Sequence, residues 1–310
     1  MIHEYALEPE LVAGLTERSA ARYFAEKFGL GQPRLVSRYP KRWKALAWDS
    51  FQKTHPDCSE KQRKVIEELI QRLSEHMVRR GESAWDPGRS WLENAEKEHD
   101  RKPFRAILAS TNPRGREEVL IDQDLDERSS ARWAVARGAT VVRKARPMAD
   151  LLLPLLRCCG EAIFIDPYFG PGKPGYRRSL EAFLAALASG RADVGSLKIE
   201  VHAEVKSTAD FFRNGCEGQF ASCIPAGLRV TFRRWTQRTG GETLHNRYIL
   251  TDLGGLTFSH GLDEGSAGET DDVYLMDRLQ YELRWQQYMG TSPAFDSPEA
   301  SVVVIGTKKT

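Results

Sequence analysis

The clearest patterning of apolar and polar positions lies in the second half of the chain. Residues 148–159 form an apolar stretch of helical length that stops at Gly160. Ala162-Ile163-Phe164-Ile165-Asp166 is then a short continuous apolar run, of the kind buried on both faces of a parallel sheet. After a Gly/Pro-rich loop at 170–175, the pattern predicts a helix over 177–189, a strand over 197–205, a helix over 207–220 and a strand over 228–233. Strands over 245–251 and 256–260 and a helix near 277–288 complete this half. The alternation predicts an α/β fold with a mixed sheet flanked by helices.

The first half reads differently. Residues 15–28, punctuated by Gly29 and Gly31, predict one helix, and 61–80 predict another. In the second, Val65, Ile66, Leu69, Ile70, Leu73 and Met77 make one apolar stripe and Gly81 supplies the stop. From Pro103 the pattern changes to strands over 104–110 and 117–121 joined by the turn Thr111-Asn112-Pro113-Arg114-Gly115. A helix over 124–137 and a strand over 139–143 follow. The expected organisation is a helical, then α+β, N-terminal region over 1–147 and an α/β domain over 148–310. The boundary is placed near 144–150, where Pro147 interrupts and the charge balance shifts.

Composition narrows the class. At 310 residues, with 41% hydrophobic and 28% charged positions, the chain has enough apolar mass for buried cores, which excludes wholesale disorder. The longest apolar run, 151–156, is interrupted by Pro154 and ended by Arg157. That is far short of the roughly 20 residues a membrane helix needs. The first five residues carry no basic-then-apolar signal, so a soluble, cytoplasmic protein is expected. Five cysteines without a Cys-x-x-Cys pair predict reduced thiols and no structural zinc. Residues 1–150 hold 28 Lys/Arg against 24 Asp/Glu, a balance of +4, and residues 151–310 hold 17 against 19, a balance of −2. Neither is the balance of a nucleic-acid coat, so any polyanion site must be a local patch. One candidate is 34–48, where Arg34, Arg38, Lys41, Arg42 and Lys44 interleave with Tyr39, Trp43 and Trp48. Cations among flat rings suit phosphate contacts and base stacking. The same pattern also suits a solvated basic face with its tryptophans turned into a core.

The densest candidate chemistry lies at Leu244-His245-Asn246-Arg247-Tyr248-Ile249-Leu250-Thr251-Asp252. Side chains two apart on a strand share a face, so His245 and Arg247 are expected to project together. A fixed cation holds phosphoryl oxygens while a neutral imidazole nitrogen attacks phosphorus. Asp252 would fix the turn or an imidazole partner. On the same reasoning His202 and Glu204 share a strand face, His260 follows a strand that faces the site, and Asp166 either orients a catalytic group or forms a turn. The 170–175 loop lacks the Gly-Lys-Ser/Thr ending of a P-loop, so nucleoside triphosphate is not expected there.

His245-x-Arg247-x4-Asp252 resembles the His-x-Lys-x4-Asp motif of the phospholipase D-like superfamily, with Arg in the Lys position. Asp166-Pro167-Tyr168-Phe169 looks like the strand end and turn that open such a domain, and 255–263 occupies the place of the family's Gly-Ser-x-Asn strand. The resemblance covers about 148–290, roughly half the chain. It implies a phosphodiesterase that needs neither metal nor cofactor, with His245 as nucleophile or general acid, Arg247 as phosphate clamp and Asp252 as a supporting carboxylate. Ser259, His260, His202, Glu204, Asp166 and Tyr168 are the expected substrate contacts, and Arg34, Arg38, Lys41, Arg42, Trp43 and Lys44 the expected nucleic-acid contacts. Small members of the superfamily pair two chains to bring two histidines together, so the single motif implies a homodimer with a composite site. The function expected is cleavage of DNA or RNA, as in phage-defence systems whose further proteins would be partners. The alternatives are a silent phosphate- or nucleic-acid-binding sensor or scaffold and, more weakly, a phospholipid-processing enzyme.

Overall fold

A computed structural model describes residues 1–81, 83–126 and 130–309. The chain divides into two units, Ile2–Ala136 and Arg137–Thr310.

The N-terminal unit runs β1 (His3–Leu7), α1 (Pro9–Ala13), α2 (Arg18–Ala25), β2 (Arg34–Val36), α3 (Trp43–Thr54), α4 (Glu60–Glu75), α5 (Trp91–Arg101), β3 (Ala106–Leu108) and β4 (Val119–Leu120). Its four strands form an all-parallel sheet in the order β2-β1-β3-β4. The unit is therefore a small parallel α/β layer, and not the helical-then-α+β succession the pattern predicts. β1 escapes a pattern reading because Glu4 breaks its apolar run. Glu4 is nevertheless buried, and meets Arg80 at 2.9 Å, while Arg80 meets Glu98 at 2.7 Å. α4 stops at Glu75 and not at Arg80, because residues 76–80 leave the helix and Val78 N donates to Val36 O at 2.8 Å beside β2. The helix expected at 124–137 is absent from the described part of that segment, which has a 3-10 turn at Asp122–Asp124, and 127–129 lie outside the described residues.

The second unit runs β5 (Gly138–Val142), α6 (Ala145–Leu156), β6 (Glu161–Ile165), α7 (Pro174–Ala188), β7 (Lys198–Glu204), α8 (Ala209–Phe220), β8 (Arg229–Trp235), β9 (Arg247–Thr251), β10 (Gly254–Phe258), β11 (Thr270–Leu275), α9 (Arg278–Met289) and β12 (Val302–Ile305). These strands form an eight-stranded mixed sheet in the order β12-β8-β7-β6-β9-β10-β11-β5. β6, β7 and β8 are parallel, and β9 returns antiparallel to β6. Helices flank both faces, as the alternation predicts. On one face the α7 ring of Phe183 stacks on Phe164 at 5.6 Å, and the α8 ring of Phe220 lies 5.1 Å from Phe232. On the other, the α9 hydroxyl of Tyr281 donates to Thr251 O at 2.7 Å. The unit begins about ten residues earlier than the composition shift suggests, because β5 pairs along β11 from Gly138 to Val142. All five cysteines are free thiols, with Cys159 and Cys216 buried. No helix of the described residues is long and apolar enough to cross a membrane.

Candidate functional site

Register decides which side chains meet. Antiparallel pairing sets Ile249 against Phe164, Leu256 against Ile249, and Arg247 against Phe258. Phe258 in turn opposes Val273, and Asp271 opposes Val141. Because side chains alternate, Arg247, Phe164, Phe258, Val273 and Asp271 all belong to the α7 face, and Asp166, two residues beyond Phe164, continues it. Arg247 and Asp166 sit at the end of the sheet where the parallel strands β6 and β7 finish, which is where open α/β sheets bind ligands.

The loop after β6 builds one wall. Buried Asp166 accepts from Tyr168 N through Oδ1 and from Leu262 N through Oδ2, both at 2.9 Å. Burial raises its pKa, against the pull of those amides, of Tyr176 and of the Arg247 charge. Tyr168 is half-exposed and carries cations on its ring, with Lys206 Nζ 3.6 Å and Arg247 Cζ 5.0 Å from the centroid. Lys173 Nζ donates to Tyr168 O at 2.9 Å. Two cations thus lie over the Tyr168 ring and a third holds its carbonyl, and Arg247 Nε is buried without a hydrogen-bond partner. Guanidinium and ammonium groups gathered in this way can hold an anion's oxygens.

The loop after β10 builds the other wall. Buried Asp271 accepts from Ser259 N at 2.9 Å, His260 N at 3.0 Å and Gly261 N at 3.2 Å, while Asp166 takes the next amide, Leu262 N. His260 Nδ1 lies 3.4 Å from Asp271 Oδ1. Gly261 is required by close approach, since a Cβ there would stand 2.7 Å from Asp263 Oδ1 and 3.2 Å from Asp166 Oδ2. Arg143 braces the loop, bonding Asp263 at 2.7 Å and Glu269 at 2.9 Å.

Each expected site residue can now be placed. His245 is exposed in the loop two residues before β9, not on the strand itself, and Arg247 opens the strand. Asp252 lies at the opposite end of β9, where it accepts from Gly160 N at 2.9 Å and Glu161 N at 3.2 Å. Five strand residues, roughly 16 Å, separate it from the His245 end, so it fixes the turn and is removed from the catalytic set. Ser259 bonds the main chain, donating through Oγ to Asp272 O at 3.1 Å. His202 is fully buried on the face of the sheet opposite Arg247, since it pairs with Ile165, although its carbonyl accepts from Asp166 N at 3.0 Å. Its Nε2 lies 2.7 Å from Glu200 Oε2 and its ring packs edge-on to Trp235 at 5.5 Å. Burial lowers its pKa, opposed by the Glu200 bond. His202 is thus a core residue, and its carboxylate partner is Glu200, not Glu204. Glu204 instead pairs with Lys206 at 2.9 Å, beside the rim.

In the N-terminal unit, Arg34 and Trp43 are removed from the expected nucleic-acid surface. Arg34 is buried over the Trp133 ring at 4.0 Å and donates to Trp133 O at 2.6 Å, and Trp43 donates to Leu7 O inside the core. Arg38, Lys41, Arg42 and Lys44 remain exposed. Lys173, Lys206, Arg143 and Asp271 were not legible as site residues, since only tertiary pairing gathers them. Among the described residues, no three His, Cys, Asp or Glu side chains are grouped so as to hold a metal.

No family model matches the chain, and no curated protein matches its sequence. Among solved structures it is similar to that of TrmBL2, an archaeal chromatin protein described as showing a novel mode of DNA binding. The identity is 10%, the TM-score 0.28, and 82% of each chain is covered. A TM-score that low assigns neither fold family nor partner.

Proposed function

We propose that this protein is a phosphodiesterase that cleaves nucleic acid through attack of His245 on phosphorus, in the manner its motif's resemblance to the phospholipase D-like superfamily implies. The observation that carries the reading is the rim itself. The motif cation Arg247, with its buried and unbonded Nε, stands with Lys206 and Lys173 around Tyr168 at the carboxyl end of the parallel strands. In this reading Arg247 and Lys206 hold the non-bridging oxygens, which both positions the diester and neutralises charge that grows in the transition state. His245, exposed in the loop two residues before Arg247, supplies the nitrogen lone pair. Exposed Arg38, Lys41, Arg42 and Lys44 would contribute phosphate contacts from the N-terminal unit.

A silent phosphate-binding sensor is the second reading. It is favoured by the absence, among the described residues, of any hydrogen-bond partner that orients His245, and by the planar guanidinium where the motif has a compact ammonium. Labelled DNA and RNA incubated in EDTA with wild type and His245→Ala separate the two. Cleavage by wild type alone supports the phosphodiesterase and names its substrate. Equal cleavage by both removes His245, and tight binding by a wild type that cleaves neither polymer supports the sensor.

A further inference from the structure

Expulsion of an alkoxide from phosphorus needs a proton, and His245 cannot donate one while its nitrogen attacks. The single motif per chain therefore calls for a second acid, which the sequence reading seeks in a partner chain. The loop after β10 offers one nearer. Its four successive amides, Ser259 to Leu262, are each bonded by a buried carboxylate, three by Asp271 and the last by Asp166. So rigid a loop presents His260 outward, with 62% of its side chain exposed. Nδ1 faces the Asp271 carboxylate, 3.4 Å from Oδ1, an acceptor that favours the tautomer with the proton on Nδ1. The register completes the placement. The last paired position between β9 and β10 is Arg247 against Phe258. His245 lies two residues before it and His260 two residues after, so both histidines belong to the loops that leave this end of the sheet.

We propose that His260, aimed by the positioning residue Asp271, is the general acid and base that completes the site within one chain. The assignment rests on the phosphodiesterase reading above. In the first step the Nε2 lone pair of neutral His245 bonds to phosphorus. The bond to the leaving oxygen breaks, its electron pair goes to that oxygen, and the His260 imidazolium proton passes to it, releasing an alcohol. In the second step neutral His260 takes a proton from water as the water oxygen bonds to phosphorus. The P–N pair returns to His245, leaving a phosphomonoester and His260 protonated again. Atoms and charge balance over the cycle, with water the sole co-reactant.

Two esters test this. A p-nitrophenyl thymidine phosphate has a leaving group that departs without a proton, whereas a dithymidine phosphate does not. Wild type should turn over both. His260→Ala should release about one equivalent of nitrophenolate per chain and then stall, because its hydrolytic base is gone, and should cleave the dinucleotide at least 100-fold more slowly. Turnover of both esters by His260→Ala at the wild-type rate overturns the proposal, as does loss of the burst in a variant that keeps the wild-type melting temperature. Mixing His245→Ala with His260→Ala should restore nothing, and recovered turnover overturns the single-chain site. Asp271→Asn should slow dinucleotide cleavage while leaving the nitrophenolate burst at its wild-type rate, and equal loss on both esters overturns its positioning role. Failure of the underlying reading looks different: wild type inert toward both esters, or His245→Ala still active.

Discussion

Asp271→Ala tests whether the loop that carries His260 is held as described. The carboxylate is buried and accepts from three backbone amides, Ser259, His260 and Gly261, at 2.9–3.2 Å. A hydrogen bond to a charged group contributes about 1.5–3 kcal/mol, and removing the acceptor strands its donors. The three donors share one side chain, so their losses do not add in full. About 3–4 kcal/mol is the expected loss from the C-terminal unit, and at about 2–4 °C per kcal/mol for a unit of this size its melting temperature should fall by roughly 10 °C. Asp271→Asn keeps one carbonyl acceptor and should lose about half as much. Calorimetry reads the transition, and amide exchange should show protection lost first at residues 259–261. A shift under about 2 °C with unchanged exchange at those three amides would refute the reasoning, because the carboxylate would then be holding nothing.

Further outcomes are expected elsewhere. Arg80→Met removes the buried cation that meets Glu4 at 2.9 Å and Glu98 at 2.7 Å, leaving Glu98 with Arg101, and should destabilise the N-terminal unit by about 3 kcal/mol in urea unfolding. His202 has a folded-state pKa below its ordinary 6.5, chiefly through burial, so the unfolded chain binds the extra proton first. The C-terminal unit should therefore lose stability as pH falls below about 6.5, and His202→Gln should flatten that dependence in melts from pH 7.5 to 5. Arg247→Lys keeps the charge and should retain much of the wild-type affinity for a short oligonucleotide. Arg247→Ala should weaken it and flatten its salt dependence by about one counterion, and equal weakening by both would instead implicate the guanidinium fork.

The C-terminal sheet was legible where burial and sequence coincide. β6 is apolar on both faces, and β7, β8 and the flanking helices follow at regular intervals, so alternation alone recovers their order. β11 was missed because Asp271 and Asp272 make it look like a loop, yet Asp271 is buried for the sake of amides ten residues earlier in the chain. β1 was missed for the same physical reason, a charge inside a strand whose partner, Arg80, lies far along the sequence. At the site, His245, Arg247, Asp166, Tyr168 and His260 stand out by type and spacing. Asp252 shows the limit of spacing: the motif places it seven residues from His245, and an extended strand carries it to the wrong end of the sheet. Glu200 had an available signal, since it lies two before His202 as Glu204 lies two after, and only the structure shows which of them turns toward the imidazole.

The central claim, that His245 attacks phosphorus, is tested most directly by looking for the bond. Wild type should be mixed with its cleaved polymer in EDTA, quenched under alkaline conditions that preserve phosphoramidates, and digested for mass spectrometry. A phosphorylated or nucleotidylated His245 that appears during turnover and decays with it is the predicted result. Continued cleavage with His245 unmodified at every time point, or a covalent mark on another residue, would contradict it.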